Sequence, residues 1–156
     1  NRNGVRFMVI GNRERLSPSL NEVADSCMQM TAANTTLTLI VFLSYSGKWD
    51  ILSAAKKMVQ KAVSSPEALE EVMAMGIDSF DDYLATAGIP DPDLIVRTSG
   101  ENRLSNYLLW QGAYSEFLFV DTLWPDFGYE DLTQAFRDFA SRDRRFGGLS
   151  KKESKT

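Results

Sequence analysis

Asp93-Leu94-Ile95-Val96-Arg97-Thr98 runs without a break into Ser99-Gly100-Glu101-Asn102-Arg103-Leu104-Ser105-Asn106. The first six residues have the apolar centre and polar ends of a short buried strand, and Leu104 to Ala113 reads as a helix. A strand that turns through small residues into a helix is a building block of an α/β sheet, where ligands sit beyond the carboxyl ends of the strands. Arg97 and Arg103 flank that turn, and a helix start there offers free N–H groups and a positive dipole end. Guanidinium groups grip phosphate oxygens bidentately, and the Ser105 hydroxyl adds one donor, so a diphosphate suits the turn. The local alternative is that Arg97 and Arg103 pair with Glu101 or nearby aspartates while Ser105 only caps the helix. Read one at a time, these residues leave both readings open.

Outward from this turn the chain alternates strand and helix. Val5 to Ile10 is a short apolar strand, and Ser17 before Pro18 is a helix N-cap with a first-turn proline, followed by Leu20, Val23, Cys27 and Met30 at helical spacing. Thr36 to Tyr45 is β-branched and continuously apolar, the pattern of a buried strand. After Ser46-Gly47, an amphipathic helix carries Ile51, Ala54, Ala55, Met58, Val59 and Ala62 inward and Lys56, Lys57 and Lys61 outward. Ser64-Ser65-Pro66 restarts a helix that Gly76 ends, and Asp78 to Ala87 holds one more short helix. Phe117 to Val120 is a fourth strand, and Leu132, Ala135, Phe136 and Phe139 mark a last helix with Phe136 and Phe139 in the core. Four strands among helices predict an α/β fold, mainly a parallel sheet flanked by helices.

Composition narrows the chemistry. With 156 residues and 44% hydrophobic content the chain suits one core. There is no histidine, which excludes Ser-His-Asp triads and His-liganded metal centres, so any metal must take oxygen ligands. The single cysteine, Cys27, excludes a disulfide framework and suits a reducing, cytoplasmic compartment. A net charge of −4 argues against a nucleic-acid partner. The apolar run Leu37 to Leu43 falls far short of the roughly 20 residues of a membrane-spanning helix. A nucleotide-binding fingerprint is also missing, since Gly11-Asn12-Arg13-Glu14-Arg15-Leu16 after the first strand is not glycine-rich.

Taken as one run, RTSGENRLSNYLLWQ (97–111), then AYSEFLF (113–119) and LWPDF (123–127), closely resembles the signature of cis-prenyltransferases of the undecaprenyl diphosphate synthase type. VRFMVIG (5–11), TLTLIVFLSYSGKWDI (36–51) and RDRRFGG (142–148) resemble the same family in the same order. The resemblance implies a catalytic domain over residues 1–148, incomplete at its N-terminus, and a charged, disordered tail over 149–156. It implies that Arg97, Arg103 and Ser105 bind the diphosphate of isopentenyl diphosphate, and that Glu116 shares in binding Mg2+ at the diphosphates. It implies that Arg145 and Gly147 form an RxG element reaching a partner's site in a homodimer; a basic helix end closed by glycine is the plain alternative. Asp50 matches an active-site aspartate of the family, although a helix N-cap role ranks ahead of it. Trp110 and Trp124 are candidates for a prenyl tunnel, and Leu37, Leu39, Val41 and Leu43 for its wall.

The implied reaction adds isopentenyl units to an allylic diphosphate such as farnesyl diphosphate, giving a cis-polyprenyl diphosphate, undecaprenyl diphosphate for a cell-wall lipid carrier. Asn102 stands where many members carry histidine, and Ser99 replaces the second glycine of the usual pair. The family's MDGNGRWA-like loop, with its catalytic aspartate, is not in the sequence, so no catalytic residue is visible and the chain alone is expected to be inactive. A long product must leave for a bilayer, which implies peripheral membrane contact. The competing reading is a non-catalytic partner subunit of a heteromeric enzyme, against which the retained Arg97, Arg103, Ser105 and Glu116 weigh.

Overall fold

The computed structural model describes residues 3–142. They form two compact units, one of residues up to Pro90 together with Asn106–Leu109, the other of Asp91–Ser105 and the residues from Trp110 onward.

In the first unit, β1 (Val5–Ile10) and β2 (Leu37–Phe42) pair in parallel, Val5 opposite Leu37 and Ile10 opposite Phe42. The crossover is α1 (Pro18–Thr31), started as predicted by Ser17, whose side chain accepts from Leu20 N. The far end of α1 is tied to the sheet by Thr31: its Oγ1 donates to Cys27 O at 2.8 Å and accepts from Phe7 N at 3.0 Å. Next come α2 (Gly47–Ala62) and α3 (Pro66–Met73), capped by Ser46 and Ser65, and a 3-10 stretch over Ile77–Tyr83. Ile10, Ala24, Ala54, Leu84 and Leu108 are buried. The expectation of a buried second strand is corrected, because Leu37 and Leu39 are 59% and 49% exposed. Among the described residues β2 hydrogen-bonds only to β1, so its apolar side chains have cover at one end only.

In the second unit, β3 (Leu94–Arg97) and β4 (Glu116–Phe119) are again parallel, with Leu94 opposite Glu116 and Arg97 opposite Phe119. Then comes α4 (Tyr129–Ala140), which buries Ala135. Asp131 secures its start, accepting from Gly128 N and from Thr122 Oγ1, both at 2.9 Å. The Gly128 N–H first, and the Thr122 hydroxyl after it, hold the Asp131 carboxyl below its ordinary range. Phe136, expected in the core, is 58% exposed; α4 turns Ala135 inward, one residue round the helix.

The four expected strands form and every pairing is parallel, in two separate two-stranded sheets among the described residues. The predicted helix over Leu104 to Ala113 does not form; that stretch runs in turns. Ser105, Asn106 and Leu108 have φ of 50°, 64° and 43°, whereas a right-handed helix needs φ near −60°. No helix of the described residues is long and apolar enough to cross a membrane.

Candidate functional site

Arg97 closes β3, half-buried, with its carbonyl accepting from Val120 N at 2.9 Å. Its guanidinium makes no hydrogen bond or ion pair with any described residue. The chain then turns sharply, with φ of 71° at Ser99 and 66° at Gly100, and this turn is braced: Ser99 N donates to Thr122 O and Gly100 N to Val120 O, both at 2.9 Å. A Cβ on Gly100 would lie 3.2 Å from Asp121 Oδ1, in a backbone region that side chains rarely adopt.

Past the brace, Asn102, Arg103 and Ser105 are exposed. Arg103 pairs with Glu101, the local alternative raised by the sequence. The Arg103 side chain is 67% exposed and Glu101 35%, with the Glu101 oxygen that faces Arg103 itself buried, so solvent reaches the pair from the arginine side, where a multiply charged ligand would compete for the guanidinium. Without the predicted helix, its N-terminus contributes nothing to anion binding. What the turn offers instead is local: the N–H groups of residues 101–105 donate to no backbone carbonyl among the described residues. Arg97, Arg103 and Ser105 thus share one short loop rooted on β3, with one guanidinium unpaired among the described residues and one paired to Glu101. Asn102 projects from the same loop without a partner among the described residues.

Glu116 stands elsewhere. It opens β4 opposite Leu94, three residues along the strand from the Arg97–Phe119 pair, a separation of about 10 Å. Its Oε2 accepts from Arg142 Nη1 at 2.8 Å, and the same nitrogen donates to Phe117 O at 2.9 Å. Among the described residues no group of three or more carboxylates could cage a metal. A cage is not what a diphosphate-bound Mg2+ needs; one or two carboxylates with substrate phosphates are enough. Glu116 fits that smaller role, since it is 32% exposed and its Oε1 has no partner among the described residues.

Asp50 belongs to the interior of the first unit at 1% exposure. Its Oδ1 accepts from Ala85 N at 2.7 Å and its Oδ2 from Tyr45 OH at 2.9 Å. The cap of α2 is Ser46, whose Oγ accepts from Trp49 N, so the N-cap reading of Asp50 is corrected: it lies a turn inside the helix and braces it against Tyr45 and Ala85. Arg145 and Gly147 lie outside the described residues. Trp124 is 73% exposed and borders a cleft of about 500 Å3, together with Val96, Thr98, Phe127, Tyr129 and Leu132.

Residues the sequence reading passed over also take part. Asn106 O accepts from Gly47 N at 2.7 Å and its Oδ1 from Lys48 N at 2.9 Å, capping α2 from 58 residues away. A left-handed backbone conformation is one that asparagine tolerates, and this is the one signal that could have found it. Arg142 opens the RDRRFGG run, but within that run the sequence pointed only to Arg145 and Gly147, and nothing in it tied Arg142 to Glu116.

Residues 1–147 match the Prenyltransf family, described as "Putative undecaprenyl diphosphate synthase". The chain belongs to that family. It is 43% identical over 151 residues to an isoprenyl transferase of Chlorobaculum tepidum, a match covering 95% of this chain and 55% of that one. It is 42% identical over 146 residues to the ditrans,polycis-undecaprenyl-diphosphate synthase, (2E,6E)-farnesyl-diphosphate specific, of Coxiella burnetii, covering 94% and 60%. The crystal structure of lavandulyl diphosphate synthase from Lavandula x intermedia, in complex with dimethylallyl diphosphate, matches with a TM-score of 0.85 and 32% identity, over 94% of this chain and 62% of that one. The chain therefore spans somewhat more than half the length of the curated relatives it matches. Within the Prenyltransf match lie the arginine loop, Glu116 and Asp50 alike.

Proposed function

We propose that this chain carries the isopentenyl diphosphate half-site of a cis-prenyltransferase, which adds isopentenyl units to an allylic diphosphate, farnesyl diphosphate in the simplest case. The observation that carries the reading is the half-buried Arg97 guanidinium, unpaired among the described residues, on the same short loop as the exposed Arg103 and Ser105. An arginine without a partner among the described residues, beside a second whose side chain is mostly exposed, suits an anion with several oxygens. Family membership supports the reaction class.

In this reading Arg97 and Arg103 hold the diphosphate of the isopentenyl unit, the Ser105 hydroxyl donates one hydrogen bond, and Asn102 adds a neutral amide. Their work is positioning: the double bond of the held unit attacks C1 of the allylic partner as its C–O bond breaks, a C–C bond forms, and a proton leaves the former isopentenyl unit. Mg2+, when bound beside Glu116, supplies neutralisation of the charge that develops on the departing diphosphate. The remaining elements of the reading are a homodimer whose Arg145 and Gly147 reach the partner's site, a cytoplasmic enzyme in peripheral contact with a membrane, and undecaprenyl diphosphate for cell-wall synthesis as the product. The allylic half-site and its catalytic aspartate belong to residues outside this chain, so the chain alone is inactive.

The test is turnover. The full-length protein with Mg2+, farnesyl diphosphate and labelled isopentenyl diphosphate is expected to give a labelled polyprenyl diphosphate whose length reports the product class. Residues 1–156 by themselves are expected to give none. Absence of polymer from the full-length protein contradicts the reading.

A further inference from the structure

Glu116 does not stand by itself in the structure. It is the first residue of β4, its backbone N–H donates to Asp93 O at 2.9 Å, and its carboxylate is gripped by a residue from the far side of α4. Arg142 follows the helix by one residue past its Ser141 C-cap, with its own N–H donating to Phe139 O at 3.1 Å. Its Nη1 is shared between Glu116 Oε2 and Phe117 O. The second of these bonds matters most, because it ties the guanidinium to the backbone of β4 as well as to the carboxylate. A glutamate side chain has three torsions to fix, and contact with a point anchored on its own strand fixes them. Only Oε2 is used; Oε1 has no partner among the described residues.

We propose that Arg142 is a positioning residue that orients the Glu116 carboxylate so that Oε1 presents to the diphosphate-bound cation. The proposal rests on the reading of Glu116 as the metal-side carboxylate given above. Groups that hydrogen-bond a ligating carboxylate commonly change metal affinity by about 10- to 100-fold when removed. An opposing effect exists, since a guanidinium repels a cation. Both side chains are about one-third exposed, so solvent screens that repulsion, whereas the loss of orientation is not screened.

The two effects separate on substitution. In the full-length protein, the Mg2+ concentration for half-maximal activity is measured alongside a calorimetric titration of Mg2+ in the presence of inorganic pyrophosphate, with a thermal midpoint for each variant. Glu116→Gln and Arg142→Ala are each expected to raise the half-saturating Mg2+ about tenfold. Arg142→Lys, which keeps the charge and a donor, is expected to recover part of the loss. The double substitution is expected to be no worse than Glu116→Gln, because Arg142 acts through Glu116. Tighter or unchanged Mg2+ binding in Arg142→Ala, or multiplying losses in the double variant, overturns the proposal. A lowered thermal midpoint in Arg142→Ala with unchanged Mg2+ dependence identifies a purely structural strut and overturns it too. If Glu116→Gln itself leaves Mg2+ dependence unchanged, the metal-side reading of Glu116 fails and the proposal falls with it.

Discussion

Two stretches adjacent in sequence, Arg97–Ser105 and Asn106–Leu109, are built in opposite ways. The first carries a half-buried Arg97 unpaired among the described residues and, past the braced Ser99-Gly100 turn, exposed Asn102, Arg103 and Ser105 on a backbone whose N–H groups donate to no described carbonyl. The second serves the fold, although Tyr107 keeps 37% of its surface exposed. Asn106 caps α2 through two acceptors, and Leu108 is buried. Tyr107 meets Phe42 and Tyr45 edge-on at 5.3 and 5.9 Å. Burial pushes the Tyr107 hydroxyl pKa up, as an apolar setting disfavours the phenolate. One signature run thus joins a ligand loop to a structural plug, and similarity along it does not mean one role for all of it.

The contrast can be broken most forcefully at Gly47. A Cβ there would lie 2.6 Å from Leu109 Cγ and 2.9 Å from Leu109 N. Because one obstacle is backbone, Gly47→Ala is expected to cost about 1–3 kcal/mol, read as a shift in denaturant midpoint at constant slope. A neutral outcome would mean that the plug is not close-packed.

Asn106→Ala removes the acceptor for Lys48 N and places alanine at a φ of 64°. The expected loss is about 1–2 kcal/mol. Asn106→Gly removes the same acceptor but suits the backbone, so it is expected to lose less; equal losses would assign the effect to the side-chain bond alone.

A smaller, pH-dependent effect belongs to Asp131 in the second unit. Its folded pKa lies below the ordinary 3.8, so its contribution to stability is full above that value and is lost as pH falls through the folded pKa. The thermal midpoint of Asp131→Asn is therefore expected to lie below that of the parent at neutral pH and to converge on it in acid. A gap that persists in acid would sink this account of the α4 cap.

What was legible in the sequence was whatever is decided locally. The four strands follow from short apolar runs, and Ser17 and Ser65, each before a proline, accept from the N–H three residues on, as caps do. Illegible was whatever a distant partner decides. Leu104 to Ala113 has helical spacing, yet Asn106 spends its backbone and side-chain oxygens on α2, and left-handed residues end any helix there. Asp50 reads as a cap until Tyr45 and Ala85 are seen to engage both its oxygens. Arg97, Arg103, Ser105 and Glu116 were all named from sequence, but not that strand register would set Glu116 three residues along from Arg97, nor that Arg142 would hold it.

The central claim is that Arg97–Ser105 serves a ligand while Asn106–Leu109 serves the fold. Equilibrium binding of isopentenyl diphosphate to the full-length protein, with Arg97→Ala and Arg103→Ala measured beside it and the thermal midpoint recorded for the same samples, addresses both halves at once. Each substitution removes a charge-assisted hydrogen bond worth about 1.5–3 kcal/mol, so affinity is predicted to fall roughly tenfold to a hundredfold with the midpoint unchanged. Unchanged affinity in both variants, or a loss that merely tracks a fall in midpoint, would contradict the account.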